Sequence, residues 1–259
     1  MSGATAFVVL VALVSLGSGV FAGRSIEPSY AVRGDGDWEA PDFYRGKDGP
    51  IYDVMQTSDD LELRRYRDSK WVSINVTGLK WDEAYKTATK ELDEYWKGSN
   101  QPETKLDNTV PTFSILKPTG PERTLATDFT IEYFLPHELF DAPPAPSSHN
   151  LEIVSIPSFD VWVKAFGGYV SESTVVDQAY GLMQELEDKG IQFDSSNFGV
   201  AIYDEPLRVV GRHNEIWITA GEAPSAAAKV AFSVKALWQE MCARARQTSQ
   251  RVMALAGGN

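Results

Sequence analysis

The 259 residues, 43% hydrophobic and 23% charged, exclude wholesale disorder and leave room for one large domain or two small ones. A formal net charge of -12 excludes a nucleic-acid binder built on a broad basic footprint. Cys242 is the single cysteine, so neither an internal disulfide nor a cysteine metal cluster is written into the chain.

Residues 1–22 read as a signal peptide. The apolar run Ala6 to Leu16 is too short to span a bilayer as a free helix, and Val20 and Ala22 put small residues where a signal peptidase reads. Cleavage after Ala22 is expected, although no Lys or Arg precedes Arg24. Secretion to the extracellular side follows from that reading. Residues 23–50 carry scattered Gly and Pro, among them Gly34, Gly36, Pro28 and Pro41, and read as a loose leader that Trp38 and Phe43 pin to the body. Order is expected from about Ile51.

From Leu61 to Val76 the chain reads as extended. Val72, Ile74 and Val76 alternate with Ser73, Asn75 and Thr77, which predicts an inner apolar face and an outer polar one. After Gly78 a helix is predicted from about Asp82, whose carboxylate suits a helix N-terminus. Its stripe is Ala84, Tyr85, Ala88, Leu92, Tyr95 and Trp96, and Lys97-Gly98 ends it. Strands are predicted at Thr112–Leu116 and Phe129–Leu135, followed by a Pro-rich connector from Pro136 to Pro146.

The pattern then repeats. Phe159–Ala165 reads as a strand, and Ser173 as the cap of a helix carrying Val176, Ala179, Tyr180, Met183 and Leu186. That helix ends at Lys189-Gly190, and strands follow at Phe198–Tyr203 and Glu215–Thr219. In the last of these, a polar bend at Gly211-Arg212-His213-Asn214 feeds the closing strand. Strand, helix, strand, strand occurs twice. Two such units bury a sheet face that one alone leaves bare, which predicts a single α+β domain over 51–221: a twisted β-barrel flanked by two helices.

Residues 222–259 change character. Ser225 to Met253 reads as a basic amphipathic C-terminal helix, with Val230, Val234, Leu237, Trp238 and Met241 on one stripe. Lys229, Lys235, Arg244, Arg246 and Arg251 face only Glu240 in it. Docking on the barrel is expected of such a helix, and membrane or protein contact is the alternative.

No catalytic constellation stands out. His137, His149 and His213 form no HxH or HxxxH pair, so no multi-histidine metal site is written locally. GxSxG, Walker and dinucleotide fingerprints are absent. Asp59-Asp60 and the Glu91, Asp93, Glu94 group read as solvated faces. Asn75-Val76-Thr77 is a glycosylation sequon.

Seven stretches in register carry a resemblance. They are Glu62-Leu63-Arg64-Arg65-Tyr66, Lys70-Trp71-Val72-Ser73, Trp81-Asp82-Glu83-Ala84, and Thr109-Val110-Pro111. Further on come Pro143-Pro144-Ala145-Pro146-Ser147, Phe166-Gly167-Gly168-Tyr169, and Gly211-Arg212-His213-Asn214-Glu215-Ile216-Trp217. In these the chain resembles the SOUL heme-binding family over about residues 51–220. The resemblance implies a twisted barrel with two flanking helices, and non-covalent, non-catalytic binding of heme or another tetrapyrrole. In one binding mode of the family, a histidine just before the first-strand Tyr ligates the iron. Arg65 stands there, and a guanidinium does not ligate iron. In the other, the first helix offers apolar residues to the ring and basic ones to its propionates. The aligned positions are Lys86, Thr89, Asp93 and Glu94. Lys86 keeps the basic character, Thr89 and Asp93 replace apolar residues, and Glu94 reverses a charge. Arg208 keeps a basic position in the second half. Lys86 and Arg208 are thus expected to pair with two ligand carboxylates, and His213 to hydrogen-bond the turn. The competing expectation is an interaction protein whose tetrapyrrole site has lapsed, acting through its surface or its C-terminal helix.

Overall fold

Strand alternation and two amphipathic helices account for the architecture of residues 38–120 and 123–221, the part described in a computed structural model of the protein. The expected signal peptide, Cys242 and the basic helix at 222–259 lie outside the described residues. Nine strands form one antiparallel sheet: β1 Tyr52–Ser58, β2 Leu61–Tyr66, β3 Ser69–Thr77, β4 Thr112–Leu116, β5 Asp128–Phe134, β6 Leu151–Ile156, β7 Phe159–Phe166, β8 Phe198–Ile202 and β9 Asn214–Thr219. Their spatial order is β1-β2-β7-β9-β8-β4-β5-β3-β6. The fold is α+β: a curled half-barrel with helices α1, Trp81–Trp96, and α2, Glu172–Asp188.

The repeat read from the sequence is visible in this order. Each half places its three strands alike (β4-β5-β3 and β8-β9-β7), and the halves meet where β4 pairs with β8. The strand before each half is exchanged: β2 pairs with β7, and β6 pairs with β3. That exchange ties the halves into one sheet. The helices are tied too, at their N-termini. Glu172 Oε2 accepts from Trp81 N at 2.8 Å, and Asp82 Oδ1 accepts from Glu172 N at 3.2 Å. Each carboxylate thus satisfies an orphan amide of the other helix and complements its dipole. Ser171, not the expected Ser173, caps α2 by accepting from Thr174 N, because helical backbone already begins at Glu172. Both helices end on a positive-φ glycine, Gly98 and Gly190.

One sheet face packs under the helices. Val72, Ile74, Ile131, Val200 and Ile216 meet Ala84, Ala88 and Leu92 of α1 and Ala179, Leu182 and Leu186 of α2. Hydrophobic burial on this face is the main force holding helices to sheet. The opposite face is buried as well, which corrects the expectation of an outer polar face at Ser73 and Asn75. Ser73 is fully buried there and donates to Glu132 Oε1 at 3.0 Å. Asn75 is half-buried and accepts from Thr130 Oγ1 at 2.7 Å, and its sequon lies where β3 is paired with β5.

Part of the cover for this second face comes from the expected loose leader. Where the leader enters the described residues, at Trp38, it is packed. Trp38 donates from Nε1 to Tyr52 O at 3.0 Å, and a single 3-10 turn at Asp42–Tyr44 buries Tyr44 completely. Tyr44 then donates to Pro50 O at 2.7 Å. Gly49 is required for this seat, since a Cβ there would lie 2.5 Å from the Tyr44 ring. Two strands escaped the sequence reading. β1 is an edge strand with an irregular register between Val54 and Gln56, and β6 is the opposite edge, directly after the connector. Neither has the clean alternation of a strand with one dry face.

Candidate functional site

The polar edge of α1 opens a groove on the helix-covered side. Ala84, Ala88 and Leu92 of its apolar stripe are committed to the sheet, while Tyr85 and Trp96 from the same stripe, with Thr89 and Asp93, border a cavity of about 290 Å³. Trp96 and Tyr133 meet edge to face with centroids 5.1 Å apart and form an aromatic wall. Trp96 is oriented by donating from Nε1 to Asp107 O at 3.0 Å. Tyr133 donates to Asp93 Oδ1 at 3.0 Å, so that carboxylate is held within the groove. Burial raises the Tyr85 hydroxyl to about 12 and the Tyr133 hydroxyl higher still, so both rings present neutral phenols.

The far rim is the β8–β9 connection, where Asp204, Glu205 and Pro206 line the cavity with Lys47 opposite. Asp204 accepts from His213 N at 2.6 Å and pairs with Arg208 Nε at 3.2 Å. Lys47 pairs with Glu205 at 2.7 Å. Beyond Lys47, Asn108 and Thr109 the groove adjoins an open hollow of about 640 Å³ bordered by His137. There Asp48 Oδ1 lies 2.6 Å from His137 Nδ1, and Asp48 Oδ2 accepts from His137 N at 2.8 Å. Burial would raise the Asp48 carboxyl, but those hydrogen bonds hold it below the usual range.

The structure divides the residues singled out from sequence. Thr89 and Asp93 line the groove. Lys86 is exposed one turn earlier on α1, and Arg208 is exposed on the connection that forms the far rim, bound to Asp204. Glu94 pairs with Lys97 at 3.0 Å on the solvent side. Arg65 stands apart: its guanidinium makes two 2.8 Å bonds to Asp160, its cross-strand neighbour. Lys47, Asn108 and the Asp204–Pro206 segment were missed. They lie in loops, where no periodicity marks a lining residue.

A second polar cluster, also missed, sits on the opposite face. Glu215 is fully buried and accepts from Arg64 Nη1 at 2.9 Å and from Tyr203 OH and Trp217 Nε1 at 2.8 Å each. His213 Nε2 lies 2.8 Å from the same carboxylate, and Phe43 stacks on the His213 ring at 3.8 Å. His213 is thus bound to this cluster through its side chain and to Asp204 through its backbone. Burial alone would raise the Glu215 carboxyl. The Arg64 charge and the bonds from His213 and Trp217 outweigh it and bring it down to about 2. Arg64 also pairs with Glu62 at 2.7 Å and lies 4.3 Å over the Tyr52 ring. A signal existed in the sequence. Glu215 leads directly into the apolar run Ile216-Trp217-Ile218, and both Arg64 and Glu215 fall within the motifs quoted above.

The family model "SOUL heme-binding protein" matches residues 47–219, a span that takes in both strand–helix–strand–strand cycles, the groove and the buried cluster. The chain belongs to the SOUL heme-binding family. Heme-binding protein 2 of Mus musculus is 30% identical over 188 residues, covering 73% of this chain and 86% of that protein. Heme-binding protein 1 of Mus musculus is 29% identical over 157 residues, 61% of this chain and 82% of that one. Among solved structures, the EcmrR C-terminal domain is 13% identical, with a TM-score of 0.46, covering 67% of this chain and 99% of that domain. A likeness at that level carries no functional meaning. The SOUL match agrees with the two-fold sheet order and with the two flanking helices described above.

Proposed function

We propose that this SOUL-family chain binds heme or a related tetrapyrrole non-covalently and without catalysis, and that it does so as a secreted protein. The observation that carries the reading is the Trp96–Tyr133 wall of the cavity, with exposed Lys86 one turn away on α1 and exposed Arg208 on the connection whose Asp204–Pro206 segment lines it. Small-molecule sites combine such an apolar wall with a few convergent charges. The group itself supplies a flat apolar ring and two carboxylates. A cavity of about 290 Å³ takes one edge of that ring, with Tyr85, Trp96 and Tyr133 against it and the remainder over the exposed face of α1. Lys86 and Arg208 pair with the carboxylates, Arg208 exchanging Asp204 for one of them. No histidine lines the groove, so holding rests on apolar contact and charge pairing.

Hemin titration followed at the Soret band tests this. Saturable one-to-one binding is expected, weakened about tenfold in the Lys86→Ala, Arg208→Ala double variant. Wild-type affinity in the double variant overturns the site, and non-saturating absorbance overturns the function. Asp93 and Glu205 in the same lining favour a second reading, because carboxylates repel an anionic ligand. There the tetrapyrrole site has lapsed and the chain works through its surface or residues 222–259. That reading requires loss of a partner or membrane contact on deleting 223–259.

A further inference from the structure

The β8–β9 connection ends in an apolar tip that the groove does not use. Leu207 is 91% exposed, Val209 72% and Val210 80%. Tyr169, 57% exposed, lies beside the base of the tip, with the Arg212 guanidinium 4.8 Å over its ring. Among the described residues, the other large hydrophobic side chain standing exposed is Val54, at the far edge strand. Aliphatic side chains scattered singly on a surface need no explanation, but three within four residues on one tip do.

The tip is held out rather than left to collapse. Arg212 donates to four carbonyl oxygens, those of Gly168, Asp204, Glu205 and Arg208, at 2.7 to 3.2 Å. Arg45 reaches across from the packed leader and donates to Gly211 O at 3.0 Å. Arg208 N donates to Glu205 O at 3.0 Å, closing the turn. With its backbone fixed in this way, the connection cannot fold Leu207, Val209 and Val210 back onto the sheet. Four cations surround the base: Arg45, Lys47, Arg208 and Arg212. Among the described residues, the carboxylates that pair with their side chains are Asp204 and Glu205. A surplus of positive charge therefore sits beside the apolar tip of a chain whose net charge is -12.

We propose that the Leu207–Val210 tip is a membrane-contacting surface, seating its three aliphatic side chains at the headgroup–acyl boundary of a phospholipid bilayer with the charges of Arg208 and Arg212 at the level of the lipid phosphates. The size of the patch separates this partner from a protein. Three such side chains cover roughly 300 Å², well short of the ~800 Å² that each partner of a stable protein complex contributes. A narrow apolar tip ringed by cations matches the layering of a lipid interface, apolar inside and anionic outside. The same connection forms the rim of the groove through Asp204, Glu205 and Pro206, so a bilayer seated on the tip lies against the groove's mouth. The inference stands whether or not the groove holds a tetrapyrrole.

The test places an environment-sensitive fluorophore on Val209→Cys in the full chain, with Cys242→Ser removing the native thiol. Vesicles are phosphatidylcholine alone or mixed with phosphatidylserine. The expected result is a blue shift on vesicle addition, larger with the anionic lipid, quenched by spin labels near the top of the acyl chains. The same fluorophore on Ser195→Cys, in the exposed loop before β8 at the other end of the strands, stays unshifted. The Leu207→Asp, Val210→Asp double variant is expected to lose vesicle co-sedimentation by about tenfold. Because both side chains are exposed, thermal unfolding is expected to match the parent. If the chain co-sediments through another segment while the 209 fluorophore stays in water, the proposal is overturned. Undiminished co-sedimentation of the double variant overturns it too. A blue shift without vesicles, accompanied by doubling of the solution mass, assigns the tip to a second copy of the chain and overturns the membrane assignment.

Discussion

Two polar clusters adjoin at Tyr203, which lines the groove and donates to Glu215, and use their hydrogen bonds differently. Around Glu215, Arg64, Tyr203 and Trp217 bond a fully buried carboxylate directly, His213 lies against it, and the leader's Phe43 covers the assembly. Beside α1, Asp93 and Glu205 have one protein partner each, Tyr133 and Lys47, and border open space. The first arrangement leaves no bonding capacity for a ligand and reads as architecture: it joins β2, β8, β9 and the leader. The second leaves capacity in place. Charged residues in a sheet protein thus divide by what surrounds them, and only the incompletely used set makes a site.

The comparison breaks most sharply at Arg64. Arg64→Ala leaves Glu215 buried without its cation, and a loss of about 3–5 kcal/mol in denaturant unfolding is expected. Hemin affinity per folded molecule is expected to change far less than stability, since the two clusters meet only through Tyr203 and the Asp204–His213 contact. Equal loss of affinity and stability would merge the two clusters into one.

Acid separates them next. The Glu215 carboxyl sits at about 2 when folded against an ordinary value of 4.5. A depressed folded value contributes stability that is complete above the unfolded value and is lost as pH falls through the folded one. Stability is therefore expected to decline by about 3 kcal/mol between pH 4.5 and pH 2. In Glu215→Gln that slope should flatten, which acid titration of the tryptophan fluorescence would follow.

The smallest expected effect sharpens the groove. Asp93→Leu removes a carboxylate from the lining and restores apolar surface at a position the family resemblance marks as apolar. Hemin binding is expected to tighten several-fold, about 1 kcal/mol, with stability changed by less than that because Asp93 is exposed. Unchanged or weaker binding would remove Asp93 from the site.

Much of the fold was legible in the residues. Stripes such as Ala84, Ala88 and Leu92, glycines at Gly98 and Gly190, and alternation at Val72 and Ile74 each report a local periodicity that the backbone imposes. Those signals supplied both helices, six of the nine strands outright, and the repeat. β2 was contained in the extended reading from Leu61, while β1 and β6, the edge strands, carried too weak a pattern. The candidate site was legible only in part. Thr89, Asp93, Lys86 and Arg208 came from alignment with the family motifs, and the groove residues Lys47 and Asn108 from neither route.

What the sequence determined by itself was local: which segments coil, which extend, where they stop, and which family they belong to. Tertiary structure decided which charges are architecture and which remain available. Arg65 and Arg64 are adjacent in the chain, yet one lies on the surface against Asp160 and the other under Tyr52 against Glu215. It also decided that the leader from Trp38 onward is part of the core, and that Leu207, Val209 and Val210 stand in solvent. The reason is physical. Burial and partnership depend on which distant segments meet, and contacts such as Arg64 with Glu215, 151 residues apart, leave no trace in local periodicity.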